Sequence, residues 1–412
     1  MQEIRIERLG HLGDGLGDGL VVPGALPGER VSGEARDGRL EGIRVLEPAP
    51  ERVTPPCPHV RRCGGCAVQH LADDAVAAWK ADLVREALAA QGLAAEIAGV
   101  ETSPPASRRR AVFAARRTKK GALAGFHARA SAEIVAVPDC RVAHPDLVAA
   151  LPVAEALAEA GASRKGELDV AATRTEAGLD LAVSGGKPLD RALRTRLAEI
   201  AGGADLARLS WDGEPVAMAR PPLVRFGRAA VVPPPGAFLQ ATEAGEAALV
   251  ARVRALLAGA RRVVDLFAGC GTFALPLAEA AEVHGVEGAP AMTAALDAGW
   301  RQAQGLKQVT TEARDLFRRA LEAEELAPFD AAVIDPPRQG AAAQVARLTA
   351  AGVPRIAHVS CNPATFARDA ATLVAAGYRM GPVTVVDQFR WSPHVELVAG
   401  FALDHMPGGE RE

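Results

Sequence analysis

Apolar positions along the chain change rhythm twice. From residue 1 to about 48, short β-like runs (EIRIERL, GLVVPG, ERVSGEA, LEGIRVLEP) alternate with glycine-rich turns, which predicts a small β-barrel or sheet over residues 1–50. After CPHVRRCGGC, the stretch LADDAVAAWKADLVREALAAQGL repeats its apolar residues at helical spacing. A mixed, proline-punctuated region then runs to Pro235, so residues 51–235 read as a central α+β domain. From Gly236 the pattern becomes helices alternating with short, almost wholly apolar runs: RRVVDLFAG, AEVHGVEG, FDAAVIDPP and RIAHVSC. Continuous apolar strands separated by helices predict a parallel sheet covered on both faces, a doubly wound, Rossmann-like α/β domain over 236–412. The tail HMPGGERE is expected to fray.

Composition adds limits rather than detail. With 412 residues, 49% of them hydrophobic, the chain can build more than one core. No apolar run reaches the roughly 18 residues that span a bilayer, and MQEIRIERLG lacks a signal-peptide core. A cytoplasmic protein with no membrane association is expected. A net charge of −3 gives no global case for a polyanionic partner, so any such case must be local. Residues 108–129, RRRAVFAARRTKKGALAGFHAR, hold eight lysines and arginines and no acid. They are either a solvated face or a surface for RNA, where interleaved Phe and His stack on bases beside phosphate contacts.

The glycine loop carries the first chemistry. VVDLFAGCGTFALPLA reads as strand, turn, helix. Gly269 and Gly271 permit a tight turn and close ligand approach, and Glu287 ends the next strand 22 residues after Asp265. An acid there accepts from ribose hydroxyls. Because Ala274 completes G-x-G-x-x-A, a nicotinamide dinucleotide is one candidate ligand. Asp335, which opens the rigid DPPRQG turn, and Asp315, placed to reach an adenine edge, favour S-adenosylmethionine instead. The alternative is that these carboxylates only cap helices. The chain has no H-E-x-x-H, no phosphate loop ending in Gly-Lys-Ser/Thr and no G-x-S-x-G.

Cys361 ends the apolar run IAHVS directly after the strand bearing Asp335. A cysteine so placed is either a small packing residue or a nucleophile beside the cofactor. Carbon 5 of uracil is activated when a thiolate adds to carbon 6. The methylated adduct must then lose its carbon-5 proton to a base, for which Glu396 in WSPHVELV is the candidate. Four other cysteines, Cys57, Cys63, Cys66 and Cys140, have a spacing that suits zinc or an iron–sulfur cluster. Cys270, inside the glycine loop, reads as a packing residue.

DLFAGCGTF, DPPRQG, SCNPATFARD and HVE resemble, in order, the motifs of the RNA uracil-5-methyltransferase family, and specifically its cluster-bearing branch that modifies 23S rRNA. The resemblance implies that Cys361 is the nucleophile and Glu396 the base. It implies that Gln240 of GAFLQ, Phe267 and Thr272 contact S-adenosylmethionine alongside Gly269, Gly271, Glu287, Asp315 and Asp335. Thr272 stands where many relatives have asparagine. CPHVRRCGGCAVQHL resembles the segment that holds a [4Fe-4S] cluster in those enzymes, completed by a distant cysteine. The N-terminal segment resembles a TRAM domain, an OB-type RNA-binding barrel. The expected partner is RNA, 23S rRNA ahead of tRNA, with no protein partner implied and a monomeric enzyme. Two rivals stand beside this reading. An exocyclic-amine methyltransferase would use DPPR, although Arg338 replaces the stacking aromatic residue. A noncatalytic RNA-binding assembly factor would not need Cys361.

Overall fold

The computed structural model describes residues 1–403, and the tail HMPGGERE lies outside them. Three sheets and one hairpin make up its β structure. The first sheet runs in the order Gln2–Arg5, Arg30–Arg36, Arg39–Glu47, Leu20–Val22, Gly15–Gly17, Arg8–Leu9. It curls around Ile4, Ile6, Val22, Ala25, Val31 and Leu40. The curl needs glycine at position 17, where a Cβ would lie 2.3 Å from the Arg5 carbonyl oxygen.

The second sheet has seven strands, with Arg110–Thr118 and Glu167–Thr175 at its centre, and the helix Leu151–Gly161 packs on it. The third has nine strands. Its parallel part runs Val309–Ala313, Glu282–Glu287, Arg262–Leu266, Ala331–Ile334, Arg355–Ser360. Successive connections travel one way from Arg262–Leu266 and then the other way from Ala331–Ile334. The reversal creates the crevice at strand carboxyl ends where open α/β sheets bind ligands. Glu396–Leu403 then pairs antiparallel with Arg355–Ser360.

One segment of the 51–235 span sits apart from the second sheet. The strand Ile97–Thr102 pairs in parallel with Val383–Asp387 at the end of the third sheet. The helix Asp73–Ala89 buries Val84 and Leu88 in the same core as Phe366, Leu373, Val383 and Val385. A helical stripe shows that a face is buried, but not which sheet covers it. Among the described residues, no helix is long and apolar enough to cross a membrane.

The basic run divides in two. Arg109 is buried, pairs with buried Glu246 and donates from Nε to the Gln240 carbonyl at 3.1 Å. Arg110 donates to the Gly236 carbonyl at 3.3 Å and lies over the Phe238 ring. These arginines join the second sheet to the third. At the other end of the strand, Arg117, Lys119 and Lys120 are exposed beside half-buried Arg116, and none of the four has an ion pair among the described residues. The strand's rise of about 3.3 Å per residue sets that hairpin tip roughly 25 Å from Arg110.

Removing one partner of a buried pair strands the other charge. Arg109→Ala is therefore expected to lower unfolding free energy by about 3–5 kcal/mol. Arg117→Ala should change it by less than about 0.5 kcal/mol. Urea titration of both variants checks this.

Candidate active site at the rim of the third sheet

The register of the third sheet brings the two expected catalytic side chains together. Ser360 pairs with Leu397 in the antiparallel ladder, so one step further sets Cys361 opposite Glu396 at the strand end. Such partners project on the same face. The turn after Cys361 is fixed locally: the Asn362 side chain accepts from the Ala364 amide at 3.1 Å, and Pro363 occupies the first helical position of Pro363–Ala375. Ile334, level with His358 on the adjacent parallel strand, leads into Asp335 at the same rim.

Gln240 and Gln388 bridge these groups. The Gln240 amide nitrogen lies 3.4 Å from an Asp335 carboxylate oxygen, and its amide oxygen accepts from Gln388 at 2.5 Å. Gln388 also accepts from the Ala241 amide at 2.7 Å, and its side chain lies near enough to the Glu396 carboxyl to oppose the rise in that group's pKa. The second Glu396 carboxylate oxygen, Oε2, has no partner.

In the glycine loop, Gly269 has φ 56° and its amide donates to Glu287 Oε2 at 3.1 Å, while Glu287 Oε1 accepts from Ala289 at 2.9 Å. Gly271 has φ 104°, and a Cβ there would meet Leu275 at 2.7 Å. Phe267 also holds a positive φ, 65°, uncommon outside glycine and frequent at functional sites, and its ring lies 5.3 Å from that of Phe317. Asp315 is exposed and caps the Phe317 amide at 3.0 Å. Thr272, also expected to contact the cofactor, lines a cavity with Arg225, Glu243 and Glu246. Cys270 is buried in packing.

Charge at the rim is nearly all of one sign. Burial pushes Asp335 up to about 7 and holds Glu396 well above the carboxylate range, the Asp335 charge adding to the latter. Asp265, fully buried with both carboxylate oxygens unpartnered, is raised by burial and then by Asp335 and Glu287. Burial, then Glu396 and Asp335, push the Cys361 thiol up to about 11, against the opposing effect of Arg338. The helix start that follows Cys361 would lower its pKa; burial and the carboxylates outweigh it.

A second constellation lies at the junction of the sheets. Cys57, Cys63, Cys66 and Cys140 line one cavity of about 320 Å³, with Arg108 on its wall. Burial raises Cys63 and pushes Cys66 to about 12, and the neighbouring cysteines raise both further. Among the described residues, no group of three or more His, Cys, Asp and Glu side chains is placed to hold a metal ion. The four cysteines share the lining of that one cavity.

The same overall fold recurs in a known protein. The Pyrococcus abyssi tRNA (uracil-54, C5)-methyltransferase in complex with S-adenosyl-L-homocysteine shares the fold, with TM-score 0.76 at 22% identity over 97% of this chain and 100% of that one. Residues 300–405 match the tRNA (Uracil-5-)-methyltransferase family. An RNA methyltransferase of Brucella suis is 46% identical over 96% of this chain and 97% of its own. The 23S rRNA (uracil(1939)-C(5))-methyltransferase RlmD of Nitrosococcus oceani is 36% identical over 97% of this chain and 96% of its own. The chain belongs to the RNA uracil-5-methyltransferase family.

Within that family frame, three side chains at the rim have no strong signal in the sequence. Gln388 is one polar residue in a loop, Asp265 reads as an ordinary strand acid, and Arg338, noted in the sequence only as a departure from an aromatic position, lies 3.2 Å from both ring nitrogens of His394. The position of Asp265 just before a glycine turn was the available clue.

The raised Asp335 carboxyl has a consequence for stability. Folded, it titrates near 7; unfolded, near 3.8. Between those values the folded state keeps a proton that the unfolded state has released, so this group's contribution falls as pH rises through that window. Asp335→Asn in ligand-free protein is accordingly expected to raise the thermal midpoint at pH 8 and to leave it unchanged at pH 4, as differential scanning fluorimetry would show.

Proposed function

We propose that this chain methylates carbon 5 of a uridine in RNA from S-adenosylmethionine, through a covalent bond between Cys361 and carbon 6. The observation that supports it most is the strand register that sets Cys361 opposite Glu396 beside the glycine loop. When bound, S-adenosylmethionine supplies an electrophilic methyl on a positively charged sulfur. Glu287 is the acceptor for its ribose hydroxyls, Asp315 for the adenine edge, and Gly269 and Gly271 give it room against the backbone. Phe267, Gln240 and Asp335 complete the pocket. Asp265, which burial keeps toward its protonated form in the ligand-free site, would gain from ionising beside a cationic ligand.

Cys361 adds to carbon 6, and the electron pair pushed to carbon 5 takes the methyl group. Glu396 then removes the carbon-5 proton, the double bond re-forms, and the carbon–sulfur bond breaks to free the thiolate. Carbon 6 is inaccessible in a stacked helix, so the target base must be flipped out or unpaired. The resemblance to the Nitrosococcus enzyme favours 23S rRNA, with tRNA second. Arg116, Arg117, Lys119 and Lys120 contact phosphates at the hairpin tip, so the RNA reaches beyond the target nucleotide.

Cys57, Cys63, Cys66 and Cys140 would hold a [4Fe-4S] cluster. The four cysteines line one cavity, and the resemblance of their segment to the cluster-bearing enzymes favours the cluster over zinc. Its contribution is structural: it ties the 57–66 segment to Cys140 and neutralises thiolates that burial otherwise forbids. Anaerobically purified protein should carry about four irons per chain, and Cys63→Ser should lose them together with solubility. Stoichiometric zinc without iron would reverse this assignment.

Two variants decide the chemistry. Glu396→Gln should transfer methyl but keep the RNA attached in an adduct that survives denaturing electrophoresis, whereas Cys361→Ala should give neither product nor adduct. Substantial methylation by Cys361→Ala would transfer the reading to an exocyclic-amine methyltransferase. RNA binding with no methyl transfer by the wild type would leave an assembly factor.

A further inference from the structure

Lys80 is a fully buried lysine on the helix Asp73–Ala89, remote in sequence from the rim. Its ammonium pairs with Asp387, also fully buried, at 2.5 Å, and donates to the carbonyls of Phe389 at 3.1 Å and His394 at 2.9 Å. A lysine has three donors, and here all three end on residues 387–394. That segment carries the chain from the strand Val383–Asp387 to Glu396, the first residue of the next strand.

The segment is held on both sides of the base. Asp387 immediately precedes Gln388, whose side chain lies beside the Glu396 carboxyl, and His394 lies two residues before Glu396. Asp387 also accepts from the Phe389 amide at 3.1 Å. Residues just after the cysteine segment support the same turn. The Ala67 and Val68 amides donate to the Trp391 carbonyl at 2.8 and 3.1 Å, and the Trp391 indole donates to Asp73 at 3.0 Å. Trp391 itself holds φ 59°, a conformation an aromatic residue keeps only when its surroundings impose it.

We propose that Lys80 is a positioning residue for proton abstraction: by closing residues 387–394 around one ammonium, it fixes Glu396 and its partner Gln388 against carbon 5 of the adduct. This rests on the reading of Glu396 as the base. Lys80 touches no reacting atom and acts through the loop alone. Its loss should therefore slow the step that needs Glu396 more than the steps that precede it.

Lys80→Met alone leaves Asp387 buried and unpaired and is liable to unfold. The informative variant is Lys80→Met with Asp387→Asn, which removes both charges and keeps an acceptor for the Phe389 amide. Thermal unfolding, S-adenosylhomocysteine affinity by calorimetry, and single-turnover methylation of target RNA with denaturing electrophoresis are measured on the full-length, anaerobically purified protein. The expected result is a cooperatively folded protein with methyl transfer within about threefold of wild type. Its covalent adduct should resolve about tenfold or more slowly, so that methylated RNA accumulates on the enzyme. A merely structural role would lower transfer and resolution together with the folded fraction, and that result would overturn the proposal. So would adduct decay at the wild-type rate, or a double variant that does not fold. If Glu396→Gln, run in parallel, forms no adduct while the wild type methylates, the assignment of the base has failed and this proposal falls with it.

Discussion

The third sheet sets Asp265, Asp335 and Glu396 at one poorly hydrated rim, with Glu287 beside them and a thiol among them. Carboxylates in such a place repel each other and lose hydration, and each answers by holding its proton to higher pH. The sheet supplies little positive charge in return. Arg338, the cation whose effect reaches both Cys361 and Glu396, is exposed and engaged with His394. The cluster is a cost to the ligand-free fold, and its compensation lies in what binds there. A cationic ligand would draw these carboxyls toward their ionised form and gain from the charge that forms beside it.

Much of the architecture serves to hold that rim in register. The reversal between Arg262–Leu266 and Ala331–Ile334 opens the crevice, and the antiparallel return of Glu396–Leu403 brings a residue from near the end of the described chain opposite Cys361. Neither residue would meet the other on a purely parallel sheet of this order. The helix Asp73–Ala89 and the strand Ile97–Thr102, which come from the middle of the chain's first half, brace the far edge where Val383–Asp387 turns back toward Glu396. The second sheet is fastened to this unit through Arg109 and Arg110.

What could be read from the chain alone followed from patterns that are local. The apolar runs ending in Asp265, Glu287, Asp335 and Cys361 predict parallel strands, and the glycines predict the turn, because strand burial and positive φ leave marks on adjacent residues. Lys80 left none, since a lysine in an amphipathic helix ordinarily faces water, and only the tertiary packing shows it buried against Asp387. The run Arg108–Arg110 read as one basic patch with Arg116–Lys120. Charge composition does not tell a guanidinium that crosses a domain junction from one that faces solvent, and the difference appeared only with Glu246 and Gln240 in place.

The thiol closes the argument about order of events. Burial, with the carboxyls of Glu396 and Asp335 beside it, pushes the Cys361 thiol up to about 11, so the ligand-free site favours the thiol over the thiolate at neutral pH. Burial is the larger cause, and whatever charge Glu396 and Asp335 carry adds to it. On the proposed reading, positive charge brought to the rim offsets the carboxylates, and the thiolate gains in population when the methyl donor is also present. Addition to carbon 6 without a donor would leave an adduct with nothing to transfer. A nucleophile suppressed by the carboxylates of its own cofactor pocket makes that dead end rare, and it does so with no moving part.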